Sequence, residues 1–137
     1  MVRELCAVLK TEGCVPDATA FANAVMNHEL RCNTAISPGW ALPHARGAGL
    51  SRLAFALGRA PKPLDWFGSG GDRVETVFLL AVPEADAAVY LNLISGLARF
   101  SGDSPRLARL RRAPDARTIM DILSEVPLRS PTPAANR

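Results

Sequence analysis

The chain has 137 residues, 48% of them hydrophobic and 21% charged, with a formal net charge of +3. That suffices for one domain with its own core and a soluble composition. The basic groups are 14 Arg and 2 Lys, and so mild an excess gives no reason to infer nucleic-acid binding.

Met1–Gly13 has only a short apolar run broken by Lys10 and Glu12, without the apolar centre of a signal peptide. The spacing of Leu5, Val8 and Leu9 predicts a first helix over Arg3–Gly13, closed by the glycine. Cys6, Cys14 and Cys32 are an odd number with no metal-type pair. Reduced thiols, a cytoplasmic protein, no metal and no cofactor are expected.

Pro16-Asp17 opens a second helix, in which Phe21, Val25 and His28 fall at i, i+4 and i+7. "RCNTAISPG" is expected as a loop, and "WALPH", Trp40–His44, as a short strand. Leu53, Phe55 and Leu57 alternate and predict a strand over Leu50–Ala60, followed by a long turn over Pro61–Asp72. "VETVFLLAVP", Val74–Pro83, is apolar throughout and predicts a central strand covered on both faces. Its run is far too short to cross a bilayer, so no membrane insertion is expected.

Tyr90, Leu93, Ile94 and Leu97 stripe a long helix beginning near Glu84. "SPRLARLRR" reads as a helix with Ser104 as its cap and Pro105 in its first turn. Ile119, Ile122 and Leu123 stripe a last helix. From Pro127 to Arg137 the composition is that of a disordered tail. No internal repeat or second domain is legible. Helices, then strands, then helices predict a single α/β domain, a three-layer α/β/α sandwich with a mixed central sheet.

His44 is one of two histidines. Pro43 restricts Leu42 to extended geometry and fixes the approach of the chain. Ala45 and Arg46 leave room around the ring. An imidazole is a nucleophile near neutral pH without losing a hydroxyl proton. A phosphoryl group on it would bring nearly two negative charges, for which backbone N–H groups or Arg46 are suited.

"GWALPHAR", Gly39–Arg46, resembles the phosphorylation-site motif of the type-2 enzyme IIA domains of the bacterial phosphotransferase system. These are the fructose/mannitol-type domains and the related nitrogen-regulatory proteins. Gly39 to Ala45 match the motif in order. "NHELRCNTAISPGWALPH" aligns without gaps on the family's Arg-Glu…Ser-Thr…Pro-His segment, and Val74–Phe100 resembles its strand and following helix. The likeness covers about Ala18 to Val126, and the domain is placed at residues 1–126.

The resemblance implies that His44 accepts a phosphoryl group from a histidine-phosphocarrier protein and passes it to a transporter domain or a regulated target. It makes the chain a transferase component with a phosphohistidine intermediate. A regulatory, nitrogen-type role is expected over sugar transport, because no transporter domain is fused in this chain.

The match departs from the family at three places. His28, followed by the matching Glu29, stands where the family has Arg. Tyr90 stands where it has a second histidine. The family's first strand has no counterpart before the first helix. The sheet is then one strand smaller, or a partner chain covers that edge, as in a homo-oligomer. Losing one charged phosphate contact costs on the order of 1.5–3 kcal/mol. The alternative is therefore a degenerate, non-transferring module that docks a partner protein or senses an anion.

Other residues stay open between two readings. His28 also suits a helix end, and Tyr90 the apolar stripe of its helix with the hydroxyl at its rim. Thr34 and Arg46 are phosphate-binding candidates that also fit a plain loop residue and a solvated cation. The arginines from Arg99 to Arg117 suit a solvated helix face or a dock for an acidic partner. No aromatics interleave with them, so no nucleic acid is expected. Trp66-Phe67 beside "GSGG" lacks the Lys-Ser/Thr of a phosphate-binding loop.

Overall fold

The computed structural model describes residues 1–36, 39–47, 49–67 and 73–126. The expected tail from 127 and the glycine tip at 68–71 lie outside them. The chain divides into two compact units, Met1–Tyr90 and Leu91–Arg137.

The first unit begins with α1, Val2–Thr11, and α2, Ala18–Arg31. On α1 the buried stripe is Val2, Leu5, Cys6 and Leu9. Val8, expected on it, is 51% exposed. Positions 2, 5, 6 and 9 complete one face at helical spacing, and 8 falls beside it. The helix ends where Gly13 takes φ +72°. Gly13 N–H then donates to Lys10 O and Cys14 N–H to Leu9 O, both at 2.9 Å, which satisfies two terminal carbonyls. The Asp17 side chain caps α2 by accepting from Ala20 N–H at 3.0 Å.

Five strands follow: β1 (Ala35–Ile36), β2 (Trp40–Ala41), β3 (His44–Gly47), β4 (Ala54–Asp65) and β5 (Arg73–Pro83). β5 is central as expected, and every residue from Thr76 to Pro83 is buried. β2 and β3 pair with it in parallel, at Trp40↔Thr76 and His44↔Leu80. Their register is the same, so β2 and β3 are one strand interrupted at Leu42-Pro43. β4 runs antiparallel along the other side of β5, and β1 pairs antiparallel with β2. The sheet is mixed, and the fold class is α/β as expected.

Three strand assignments differ from the sequence reading. β1 lies inside the expected loop, since two residues carry no periodicity. β4 starts later and runs on to Asp65 through Pro61 and Pro63. Its pairing is lost between Arg59 and Leu64 and resumes at Leu64↔Val74. The residue before each proline is held extended, and a proline is tolerated where no ladder bond is required. The single "WALPH" strand becomes β2, a break and β3.

One sheet face, with Ala41, Ala45, Ala56, Val77, Leu79 and Ala81, packs in one core with α1 and α2. Small alanines on the outer strands let those helices approach. The other face carries Trp40 stacked on Phe78 at 5.0 Å and Phe55 beside it at 5.6 Å.

A 3-10 turn at Glu84–Asp86 leads into α3, Ala87–Ser101, which carries the chain out of the first unit after Tyr90. The second unit also contains α4 (Ser104–Arg112) and α5 (Ala116–Leu123). The cap of α4 is Asp103, not Ser104, because the Asp103 carboxylate reaches Arg106 N–H at 3.1 Å. Arg109 makes a two-pronged pair with Glu125, both contacts at 3.0 Å, and Arg106 approaches Asp103 and Glu125. Part of the arginine cluster is thus neutralised within its own unit. No helix among the described residues is long and apolar enough to cross a membrane.

Leu79 is fully buried in the central strand. Leu79→Ala is expected to lower the unfolding free energy by about 2–5 kcal/mol, read from urea titration. A loss under ~1 kcal/mol would contradict this packing.

Candidate active site

The strand that carries His44 starts at Gly39, which takes φ +85°. That left-handed conformation suits glycine, and here the Gly39 carbonyl accepts from Glu75 N–H at 2.8 Å and Thr76 N–H at 3.1 Å. Two residues of β2 follow. Pro43 has no N–H, and the strand breaks there. Pro43 O accepts from Leu80 N–H at 2.9 Å, which holds the chain against β5 through the break. On the opposite edge Leu42 N–H donates to Thr34, 3.1 Å from its Oγ1 and 3.4 Å from its carbonyl.

The Leu42 carbonyl is left facing His44, whose Nδ1 lies 3.0 Å away. A carbonyl oxygen only accepts, so Nδ1 carries the hydrogen. Nε2 then holds the lone pair. Tyr90 Oη sits 2.8 Å from Nε2 and donates to it. The aromatic rings lie 5.0 Å apart. Three groups thus settle one imidazole: a break in a strand, a threonine before that strand and a tyrosine on the first turn of α3.

His28 reaches the same place from the last turn of α2. Its ring centroid is 4.6 Å from that of His44. Its Nδ1 is buried and has no hydrogen-bond partner among the described residues, an uncommon state for a buried polar atom. Arg46, two residues beyond His44 on β3, donates from Nη2 to Glu84 O at 3.1 Å. Its charge also reaches the Tyr90 hydroxyl.

Burial holds the His44 pKa below its ordinary value of 6.5. The Leu42 carbonyl opposes that shift, the neighbouring His28 adds to it, and the Glu29 carboxylate opposes it. The net effect is a neutral ring at pH 7 with an available lone pair. Burial likewise raises the Tyr90 pKa above 10.0, against the nearby Arg46 charge and with the help of Cys32. Its hydroxyl therefore keeps its proton and acts as a donor.

Beside this arrangement lies Glu29, to which the sequence reading gave no site role. It is 2% exposed. Oε2 accepts from Thr34 N–H at 3.0 Å and from Trp66 Nε1–H at 2.9 Å, and Oε1 accepts from the Thr34 hydroxyl. The signal was in the sequence: Ala22, Val25 and Glu29 fall at i, i+3 and i+7 on the buried face of α2. A carboxylate on an apolar stripe demands buried donors. Thr34, a phosphate-binding candidate, spends its hydroxyl proton on Glu29 and accepts from Leu42 N–H. Asn33 ties the loop further, accepting from Ala35 N–H at 2.7 Å and donating to Trp66 O at 3.3 Å.

The fold is an α/β domain with a mixed sheet, and its central feature is a half-buried neutral histidine at a strand break. The chain belongs to the family of type-2 EIIA components of the phosphoenolpyruvate-dependent sugar phosphotransferase system, whose model matches residues 1–126. The fructose-specific EIIABC component of Bacillus subtilis is 28% identical over 125 residues, 91% of this chain and 20% of that protein. The chain therefore spans about a fifth of that relative's length. The nitrogen regulatory protein of Bradyrhizobium diazoefficiens is 30% identical over 108 residues, 79% of this chain and 71% of that protein. The crystal structure of nitrogen regulatory protein IIA-Ntr from Neisseria meningitidis shares the fold. Its TM-score is 0.81 at 24% identity, over 89% of this chain and 83% of that one.

A depressed His44 pKa has a direct readout. In a pH titration followed by NMR, the His44 ring signals are expected to move with a midpoint below 6.5. The unfolded chain then binds this proton first as pH falls, so the His44 contribution to stability is lost downward from about pH 6.5 and is flat above it. A midpoint at or above the ordinary value would remove the basis for a neutral, lone-pair-bearing ring.

Proposed function

We propose that the chain is a phosphoryl relay in which His44 accepts a phosphoryl group from a phosphohistidine carrier protein. The observation that carries this reading is the state of the ring. Nδ1 is tied to the Leu42 carbonyl, and Nε2 holds its lone pair toward Tyr90.

In the step itself, Nε2 attacks phosphorus in line with the donor's N–P bond. The new N–P bond forms as the old one breaks, and the donor nitrogen keeps the electron pair. The Nδ1 hydrogen stays on Nδ1. Little other covalent work is required, so positioning and charge stabilisation carry the catalysis. The Tyr90 hydroxyl gives up the lone pair as the phosphoryl group arrives and donates to one of its oxygens instead. The open Nδ1 of His28 supplies a second contact, and Arg46 a nearby cation. From His44 the group passes to a transporter domain or a regulated target.

A regulatory role is favoured over sugar transport. The 30% identity to a nitrogen regulatory protein, over 71% of that protein, supports it.

One observation favours a second reading, a non-transferring module that docks a partner or senses an anion. In the resting structure the Tyr90 phenol occupies the nucleophile's lone pair, and neither Tyr90 nor His28 carries a permanent positive charge.

Incubation with a phosphorylated carrier protein and its phosphoryl source separates the two. The relay reading expects acid-labile label on the wild type and none on His44→Ala. Equal labelling of both, or none on the wild type, sinks it. His28→Arg supplies a permanent forked cation. It is expected to raise the equilibrium constant for phosphoryl transfer to the protein by about ten- to a hundredfold, matching one charged hydrogen bond. An unchanged constant would remove His28 from the phosphate site.

A further inference from the structure

Glu29 is a buried carboxylate with no Lys or Arg at ion-pair distance among the described residues. Such a group is costly to bury unless its oxygens are fully met. Its donors are the Thr34 backbone N–H, the Thr34 hydroxyl and the Trp66 indole N–H. These contacts join the end of α2 to the residues before β1 and those after β4.

We propose that Glu29 is the positioning residue for His44: acting through Thr34 and Leu42, it keeps the imidazole proton on Nδ1 and the lone pair on Nε2. The assignment follows from what each group can do. An ionised carboxylate accepts and never donates, so the Thr34 hydroxyl must point its hydrogen at Glu29. That leaves Thr34 Oγ1 free to accept from Leu42 N–H at 3.1 Å. The Leu42–Pro43 segment is then held on both flanks, by Thr34 at Leu42 N and by Leu80 at Pro43 O. Between those two ties only the Leu42 carbonyl is left to face Nδ1, at 3.0 Å. The carbonyl cannot donate, so the hydrogen sits on Nδ1.

The same residue serves the charged stage. Within the proposed relay, on which this consequence rests, the ring becomes cationic when Nε2 bonds to phosphorus and Nδ1 keeps its hydrogen. The Glu29 charge already favours the protonated ring of His44. Trp66, far along the chain, takes part only by filling Oε2. A Gln at this position has one acceptor oxygen and one donor group for the same three donors. It must either oppose the Thr34 hydroxyl or abandon two N–H groups.

The test uses the full chain labelled with 15N, at a pH well above 6.5 and without any phosphoryl donor. The chain has two histidines, so His28→Gln assigns the spectrum. In the wild type, His44 is expected to show a pyrrole-type shift at Nδ1 and a pyridine-type shift at Nε2. In Glu29→Gln and Thr34→Val, the two shifts should move toward each other as the tautomers mix. Thr34→Ser keeps the hydroxyl and should restore the wild-type pattern, which a packing role for Thr34 would not do. Label uptake at His44 in Glu29→Gln should fall on the order of tenfold or more, as wrong-tautomer variants do.

If Glu29→Gln fails to fold, the Thr34→Val and Thr34→Ser pair decides alone. An Nε2–H tautomer in the wild type, or an unchanged tautomer in folded Thr34→Val, overturns the proposal. Because the spectrum needs no phosphoryl group, that failure is separate from the failure of the relay. The relay falls if no label appears, whatever the tautomer.

Discussion

A carboxylate buried without a cation constrains everything around it. Glu29 has two oxygens on the inner side of α2, and each must be met by a donor or the helix would turn that face to water. The donors come from two other parts of the first unit, Thr34 before β1 and Trp66 after β4. Their separate approaches fix where the loop after α2 runs, how β1 meets β2 and where β4 ends. The apolar stripe of α2 supplies the burial energy, but it carries no direction. The direction comes from the hydrogen bonds, because an acceptor-only group dictates which way every neighbouring hydrogen points.

The interrupted strand converts that direction into chemistry. β2 and β3 keep one register along β5, so the break at Leu42-Pro43 does not shift the sheet. It removes one ladder donor, the N–H that Pro43 lacks. On the edge away from β5, Leu42 N–H meets Thr34 and Leu42 O meets His44. The Leu42 carbonyl gives the histidine two residues on a defined tautomer.

Much of this was legible in the chain. Val74–Pro83 reads as the central strand because its apolar run Val77–Val82 leaves no alternation to interpret otherwise. α2 is legible from Pro16-Asp17 and the spacing of Phe21 and Val25. His44 stands out through its motif. The less legible parts share a cause. β1 is two residues long, and β4 passes two prolines that local rules assign to a turn. Glu29 looks like one more charged residue near a helix end until its position on the stripe of Ala22 and Val25 is noticed.

Taken alone, the sequence determined the central strand and the start of α2, because these depend on residues within a turn or two of each other. The Asp17 cap is one such local contact. Only the tertiary structure decided which nitrogen of His44 is free. That choice rests on a carbonyl two residues away, a hydroxyl ten residues away, a carboxylate on a helix and a phenol 46 residues along the chain. Hydrogen-bond direction is a property of groups brought together in space, and no spacing rule along one strand or helix encodes it.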